Sequence, residues 1–117
     1  MEDPKALKFF IEVLSKTRAG RIHWEATAGE DKYIAAVGGQ FTLVVSTYTT
    51  LNKYGDTIDE GIALLLKDSK DRELISVTRE VDGVVAADLR ELYEFARRRA
   101  LDVNAKLDQV LGELGKL

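Results

Sequence analysis

The chain reads YIAAVGGQFTLVVST from residue 33 to residue 47. Apolar and β-branched residues dominate Tyr33–Val37 and Gln40–Thr47, a composition typical of strands. Gly38-Gly39 separates the two runs, and glycine readily adopts the positive φ angles that tight hairpin turns require. The segment therefore predicts a β-hairpin.

Further strands are predicted on both sides of this hairpin. Residues 22–26 alternate between apolar and polar, as in a half-buried strand. Gly61–Lys67 and Glu73–Arg79 have the composition of two more strands. Successive strands with short connections pair antiparallel, because parallel pairs need long crossovers. We therefore expect a five-stranded meander, with the polar stretch Tyr48–Asp59 as its longest loop and the favoured functional loop.

Helical periodicity flanks the strands. Asp3-Pro4 suits the start of a helix and Gly20 suits its end. A long helix is predicted at about Val85–Ala100, with an apolar stripe on one side. A further stripe follows from residue 103, either as a continuation or as a separate helix that Asp102 caps.

This order of elements predicts one α+β domain over residues 1–117. It comprises an N-terminal helix, a five-stranded antiparallel meander sheet and one or two C-terminal helices. The helices are expected to cover one face of the sheet, and the other face is open or covered by a partner.

Composition excludes several kinds of site. The chain has one His and no Cys, so disulfides, thiolate zinc sites and cysteine nucleophiles are excluded, and we expect no metal or cofactor. A net charge of -3 argues against nucleic acid as the partner. No apolar run approaches the roughly 18 residues that span a bilayer, and the first residues lack the basic start of a secretory signal. We therefore expect a cytoplasmic protein without a membrane partner.

His23 and Glu25 share one face of the first predicted strand, and Trp24 points to the other face. A histidine oriented by a carboxylate suits general-base chemistry, but no nucleophile motif such as G-x-S-x-G accompanies it. We therefore favour a solvated or partner-facing polar surface. Trp24 suits either stacking on a ligand or, preferentially, a core position in which its N–H is hydrogen-bonded.

Other binding candidates are aromatic or basic. Tyr48 and Tyr54 lie on the predicted long loop, and exposed aromatic residues mark recognition surfaces. The run Arg97-Arg98-Arg99 suits a phosphate or an acidic partner, although cations near a helix C-terminus also complement the helix dipole. The candidates for ligand or partner binding are His23, Trp24, Glu25, Tyr48, Tyr54, Arg97 and Arg98.

The C-terminal stripe contains Leu107, Leu111 and Leu114. Two positions are equally open for these leucines. They either pack on the chain's own sheet or form the interface of a two-fold dimer.

Two stretches resemble a family. The sequences AGRIHWE at 19–25 and YIAAVG at 33–38 resemble a recurring opening in small bacterial and mobile-element proteins, and LYEFARRRA at 92–100 resembles the helix that closes them. Those proteins have no assigned activity, so the resemblance implies the α+β order and no catalytic residues. At position 102 those proteins tend to have Gly, where this chain has Asp.

The leading functional interpretation is a small non-enzymatic protein-binding or regulatory module that forms a homodimer. The alternative is a binder or sensor of a nucleotide or acidic metabolite, with Trp24, Tyr33 and Arg97 around a pocket between sheet and helices. A hydrolase that uses His23 with Glu25 is a third hypothesis, and nucleic-acid binding ranks last.

Overall fold

The computed structural model describes residues 4–29 and 31–117, apart from the side chain of Asn104. Its elements are α1 (Pro4–Arg18), β1 (Glu25–Ala26), β2 (Lys32–Val37), β3 (Phe41–Leu51), β4 (Thr57–Lys67), β5 (Glu73–Val77), α2 (Ala86–Leu101) and α3 (Val103–Leu114). The strands form one antiparallel sheet in chain order, so the predicted α+β meander with its terminal helices is confirmed. The helix start expected at Asp3 lies outside the described residues.

The β2–β3 hairpin follows the prediction closely. Gly38 and Gly39 have φ angles of 66° and 74°, a conformation that L side chains rarely adopt. The register pairs Val37 with Phe41 at the turn and Tyr33 with Val45 further along the strands.

The predicted loop from Tyr48 to Asp59 is wrong. β3 continues to Leu51 and β4 begins at Thr57, so the connection comprises only residues 52–56. Threonine, tyrosine and isoleucine favour strands even where the segment is too polar to show an apolar period. Asn52 closes the short turn, because its Oδ1 accepts hydrogen bonds from the backbone N–H groups of Tyr54 and Asp56 at 2.8 and 3.0 Å.

The first and last predicted strands are shorter than expected. Only Glu25–Ala26 pairs with β2, because the chain before it turns Trp24 into the core instead of extending the ladder. β5 ends at Val77, two residues before the predicted end.

One face of the sheet carries the core. Alternate residues of β2 to β5 pack against the buried sides of α1 and α2. The largest fully buried side chains of this core are Trp24, Phe10, Leu64, Leu92, Val45 and Val77. The start of α1 also lies close to the turn before α2, since a Cβ on Gly83 would lie 2.7 Å from a methyl group of Leu7.

The opposite face lies outside the helix-packed core of the described chain, although Val44 and Ala63 on it are only 2% and 8% exposed. Ile34, Val44, Ala63 and Leu65 occupy the alternate positions of the paired strands and do not belong to the helix-packed core. The helices therefore lie on one side of the sheet, as expected.

The C-terminal region contains two helices. Asp102 separates them in the left-handed conformation, with φ 51° and ψ 50°. Its side chain makes no capping hydrogen bond, so the capping role predicted for Asp102 is wrong and the break comes from its backbone. Glycine adopts this conformation most readily, and Asp is among the few other residues that visit it as single residues.

α3 projects from the domain. Every residue from 105 to 117 is exposed. The Cα radius of gyration is 16.3 Å, against about 13 Å for a compact domain of similar length. None of the helices in the described chain is long and apolar enough to cross a bilayer.

Candidate functional site

The most prominent surface is an apolar stripe on α3, which we call the α3 stripe: Val103, Leu107, Val110, Leu111 and Leu114. The last four are 51%, 51%, 64% and 56% exposed. Residues three and four positions apart are neighbours on a helix surface, so these side chains form one continuous strip. The position on the chain's own sheet, one of the two expected for Leu107, Leu111 and Leu114, is not adopted.

Such a strip is unusual on an isolated domain. Single exposed leucines are ordinary, but contiguous apolar surface marks a contact site. The α3 stripe is separated from the buried side of α2 by the left-handed residue Asp102. The α3 stripe therefore belongs to a separate helix that lies outside the core.

Charged residues border the α3 stripe on one side. Lys106 directly precedes Leu107, and Glu113 directly precedes Leu114, so the two charges lie two helical turns apart along the same side. Glu113 Oε1 lies 3.4 Å from Lys116 Nζ, and both of these side chains are about three-quarters exposed. Gly112 lies opposite the strip, where an added Cβ would have no neighbour within 4 Å.

His23 and Glu25 lie on the surface, as expected from strand alternation. Their Nε2 and Oε1 atoms are 3.6 Å apart, and the side chains are 78% and 64% exposed. They border a shallow depression of about 400 Å³ together with Arg99 at the end of α2. No Ser or Thr lies among the described residues around this depression, so it lacks a hydroxyl nucleophile for His23 to activate.

Trp24 belongs to the core. It is 1% exposed, and its indole Nε1–H donates a 3.2 Å hydrogen bond to Oγ1 of the buried Thr17. The ring therefore has no free face on which a ligand could stack. This is the preferred of the two positions expected for Trp24.

Arg97 and Arg98 are exposed on α2. Neither forms an ion pair with a described residue, and Glu94 does not bridge to Arg98 as helical spacing would allow. The last turn of α2 contains Arg98 and Arg99, whose positive charges complement the helix dipole.

The two candidate tyrosines do not share a loop. Tyr48 is half-buried in β3 opposite Gly61, and an added Cβ on that glycine would lie 2.8 Å from the Tyr48 hydroxyl oxygen. Tyr54 is 76% exposed at the β3–β4 turn, with Lys53 Nζ 5.1 Å from its ring centre. Of these two tyrosines, Tyr54 is exposed as the sequence predicted, and Tyr48 is not.

A cleft of about 670 Å³ lies between the β3–β4 ribbon and the start of α2. Its walls include Thr47, Tyr48, Arg79, Arg90 and Tyr93. The pocket predicted around Trp24, Tyr33 and Arg97 is wrong, because Trp24 and Tyr33 are core residues and none of the three lines this cleft.

Two side chains of the cleft are fixed by hydrogen bonds. Tyr93 Oη donates to Asp31 Oδ1 at 2.7 Å, and its ring lies 5.7 Å from that of Tyr33. Burial is the largest cause that raises the pKa of Tyr93 well above its usual value, and the hydrogen bond to Asp31 is the second. The phenol therefore stays protonated and donates to Asp31. Arg79 donates to the backbone carbonyl of Glu60 at 2.8 Å and pairs with Asp59.

Sequence reasoning missed most of this cleft. Asp31 and Tyr93 are 62 positions apart, and Glu60 and Arg79 are 19 apart. No local motif links such residues, since only the sheet register and the packing of α2 bring them together. Tyr48 is the one cleft residue among the sequence candidates, and it was selected for its supposed place on a loop.

Metal chemistry and known relatives give no further assignment. Among the described residues, no group of three or more His, Cys, Asp or Glu side chains is arranged to hold a metal ion. Comparison with protein-family models, curated proteins and solved structures finds no match to this chain.

Proposed function

We propose that the chain is a small non-enzymatic protein-binding or regulatory module that acts as a homodimer, with the α3 stripe as its contact surface. The observation that carries the proposal is the continuous exposure of Leu107, Val110, Leu111 and Leu114 on a helix outside the core. An amphipathic helix with anchors at such spacing is a recurrent recognition element.

The size of the surface indicates how strong the association is. Fully burying one aliphatic side chain contributes about 1.5–3 kcal/mol, so covering the exposed half of each contributes about 1 kcal/mol. Association itself costs at least about 4 kcal/mol in lost freedom of motion. The α3 stripe therefore supports a weak, reversible complex and not an obligate one.

Sedimentation equilibrium over a hundredfold range of concentration tests this function. The wild type should pass from monomer to dimer, and the double variant Leu107→Gln/Leu114→Gln should stay monomeric. Leu74→Gln is the matched control, because Leu74 is 52% exposed on β5, away from the α3 stripe. The control should associate like the wild type.

Two results together would refute the proposal. One is a wild type that stays monomeric at every concentration. The other is that immobilised wild type and the double variant retain the same proteins from a cell extract. In that case the exposed leucines have no measurable part in any protein contact.

The second candidate function is binding of a nucleotide or acidic metabolite in the cleft beside α2. Its volume of about 670 Å³ lies within the range of about 300–1,000 Å³ that is typical of ligand pockets. Arg90 lines the cleft and has no ion pair with a described residue, so its guanidinium is free to bind an anionic group.

A thermal-shift screen with nucleotides and dicarboxylates tests the cleft. A true ligand should raise the unfolding temperature of the wild type, since ligand binding stabilises the folded state by mass action. Arg90→Gln should reduce the shift, whereas Arg97→Gln, which removes an exposed arginine outside the cleft, should not. The absence of any shift across the screen would count against this candidate.

A further inference from the structure

We infer that the dimer forms by antiparallel pairing of α3 with α3 of a second copy of the chain. This inference rests on the proposed function and adds the identity of the partner and the direction of the contact. It starts from the spacing of the apolar residues and the order of the charges beside them.

The spacing is that of a coiled-coil seam. Val103, Leu107, Val110 and Leu114 follow one another at intervals of four, three and four residues. A helix that packs on a globular core usually presents a broader apolar face, whereas this strict alternation is the narrow seam of helix pairs. Leu111 widens the seam on one side only.

The charges beside the seam distinguish the two directions of pairing. Lys106 and Glu113 lie on the same side of the seam, and Leu111 lies on the other. In a parallel pair, each side of the seam faces the opposite side of the partner helix, so Lys106 would face Leu111 of the second copy. In an antiparallel pair, like sides meet, and Lys106 faces Glu113 of the second copy.

The two-fold axis makes this contact occur twice. The seam residues then pack in layers, with Leu107 against Val110 of the second copy and Val103 against Leu114 of the second copy. Two Lys106–Glu113 pairs flank these layers, one at each end. A closed two-fold arrangement buries the strip of both copies and leaves no unpaired strip for further growth.

The neighbouring residues permit this arrangement. Among the described residues, the ion pair of Glu113 is with the exposed Lys116 at 3.4 Å, and an ion pair between two exposed groups is readily exchanged. Gly112 lies on the far side of the helix from the seam, so its lack of a side chain costs the interface no contact. The short seam agrees with the weak association expected from the exposed area.

Charge reversal tests the direction of pairing. Lys106→Glu places two glutamates opposite each other in the antiparallel dimer, and Glu113→Lys places two lysines opposite each other. Each single variant should self-associate about tenfold more weakly than the wild type at low salt, because two attractive contacts become two repulsive ones. The double variant Lys106→Glu/Glu113→Lys should recover wild-type association.

A mixture of the two single variants gives the sharpest result. Each glutamate of the Lys106→Glu chain then faces a lysine of the Glu113→Lys chain, so the heterodimer should form about as strongly as the wild-type homodimer. Asp108→Lys is the matched control, because it reverses a charge on α3 away from the seam. This control should associate within about twofold of the wild type, as surface changes outside a contact usually have small effects.

Each outcome bears on the inference. Single variants that associate like the wild type, or a mixture that fails to recover association, would overturn antiparallel pairing. The homodimer and its apolar contact would still stand if Leu107→Gln/Leu114→Gln abolished association in the same experiment. A wild type that never self-associates would overturn both the pairing and the homodimer.

Discussion

Replacing Leu111 by alanine should hardly change the stability of the isolated chain. Leu111 is 64% exposed, so only about a third of its surface is removed from water. Full burial of a leucine contributes about 1.5–3 kcal/mol, so we expect Leu111→Ala to cost less than about 1 kcal/mol. Leu92 is 0% exposed in the core, and Leu92→Ala should cost about 2.7–5 kcal/mol.

The measurement is urea unfolding followed by far-ultraviolet circular dichroism at two protein concentrations. In dilute solution the monomer predominates, and the free energy of unfolding should separate the two variants as stated. In concentrated solution, self-association should stabilise the wild type more than Leu111→Ala, because a ligand that binds only the folded state raises its apparent stability. The difference between wild type and Leu111→Ala should therefore increase with concentration.

One result would refute this reasoning. If Leu111→Ala lost about as much stability as Leu92→Ala in dilute solution, α3 would have to pack against its own domain. The leucines would then belong to the core, and neither the homodimer nor the antiparallel pairing would have a free surface to use.

Three further predictions concern the domain that supports α3. Thr17→Val should cost about 1–3 kcal/mol in urea unfolding, because it leaves the buried N–H of Trp24 without an acceptor; an unchanged stability would show that this hydrogen bond is unimportant. Gly83→Ala should cost more than about 1 kcal/mol, since alanine disfavours a φ of +87° and its Cβ would meet α1; a stabilised variant would contradict that geometry. Arg18 lowers the pKa of Glu91, so their ion pair should add stability above the unfolded pKa of about 4.3 and lose it as pH falls through the lower folded pKa. The stability difference between wild type and Glu91→Gln should therefore vanish in acid, and a difference independent of pH would argue against the pair.

The hairpin at Gly38-Gly39 could be predicted because its signal is local. Two consecutive residues that tolerate positive φ stand between two strand-forming runs, and nothing distant is needed to choose the turn. The α3 stripe was visible for the same reason, since its spacing is a property of one short segment.

The β3–β4 ribbon shows where local reading fails. The stretch from Tyr48 to Asp59 is polar, and its strand character comes from pairing across its own short turn, where Thr50 pairs with Asp59 and Leu51 with Thr57. Tyr48 lies across Gly61, a contact that exists only once the register is set. The polar composition therefore led to the prediction of a long loop, whereas β3 and β4 extend almost to the turn that joins them.

The backbone position of Trp24 depends on how its side chain packs in the core, which local alternation does not show. Alternation correctly gave it a buried side, but the ladder that alternation implied begins only at Glu25. Burying the indole and bonding its N–H to Thr17 takes precedence over extending an edge strand by three residues. The sequence pattern therefore predicted correctly that Trp24 is buried, but predicted wrongly that its backbone belongs to the first strand.

Whether the leucines of α3 pack on the sheet depends on how much of its apolar surface α1 and α2 leave uncovered. α1 and α2 already cover the helix-facing side, and its central residues, such as Leu64, Val45 and Val77, are fully buried. A third helix on that side would have no apolar surface left at the centre of the sheet. The left-handed backbone at Asp102 separates α3 from α2, so its apolar strip lies outside the core and is accessible to the partner that we propose. The charges of Lys106 and Glu113 then favour a second copy of the same helix, which supplies the complementary order of charges without any other sequence.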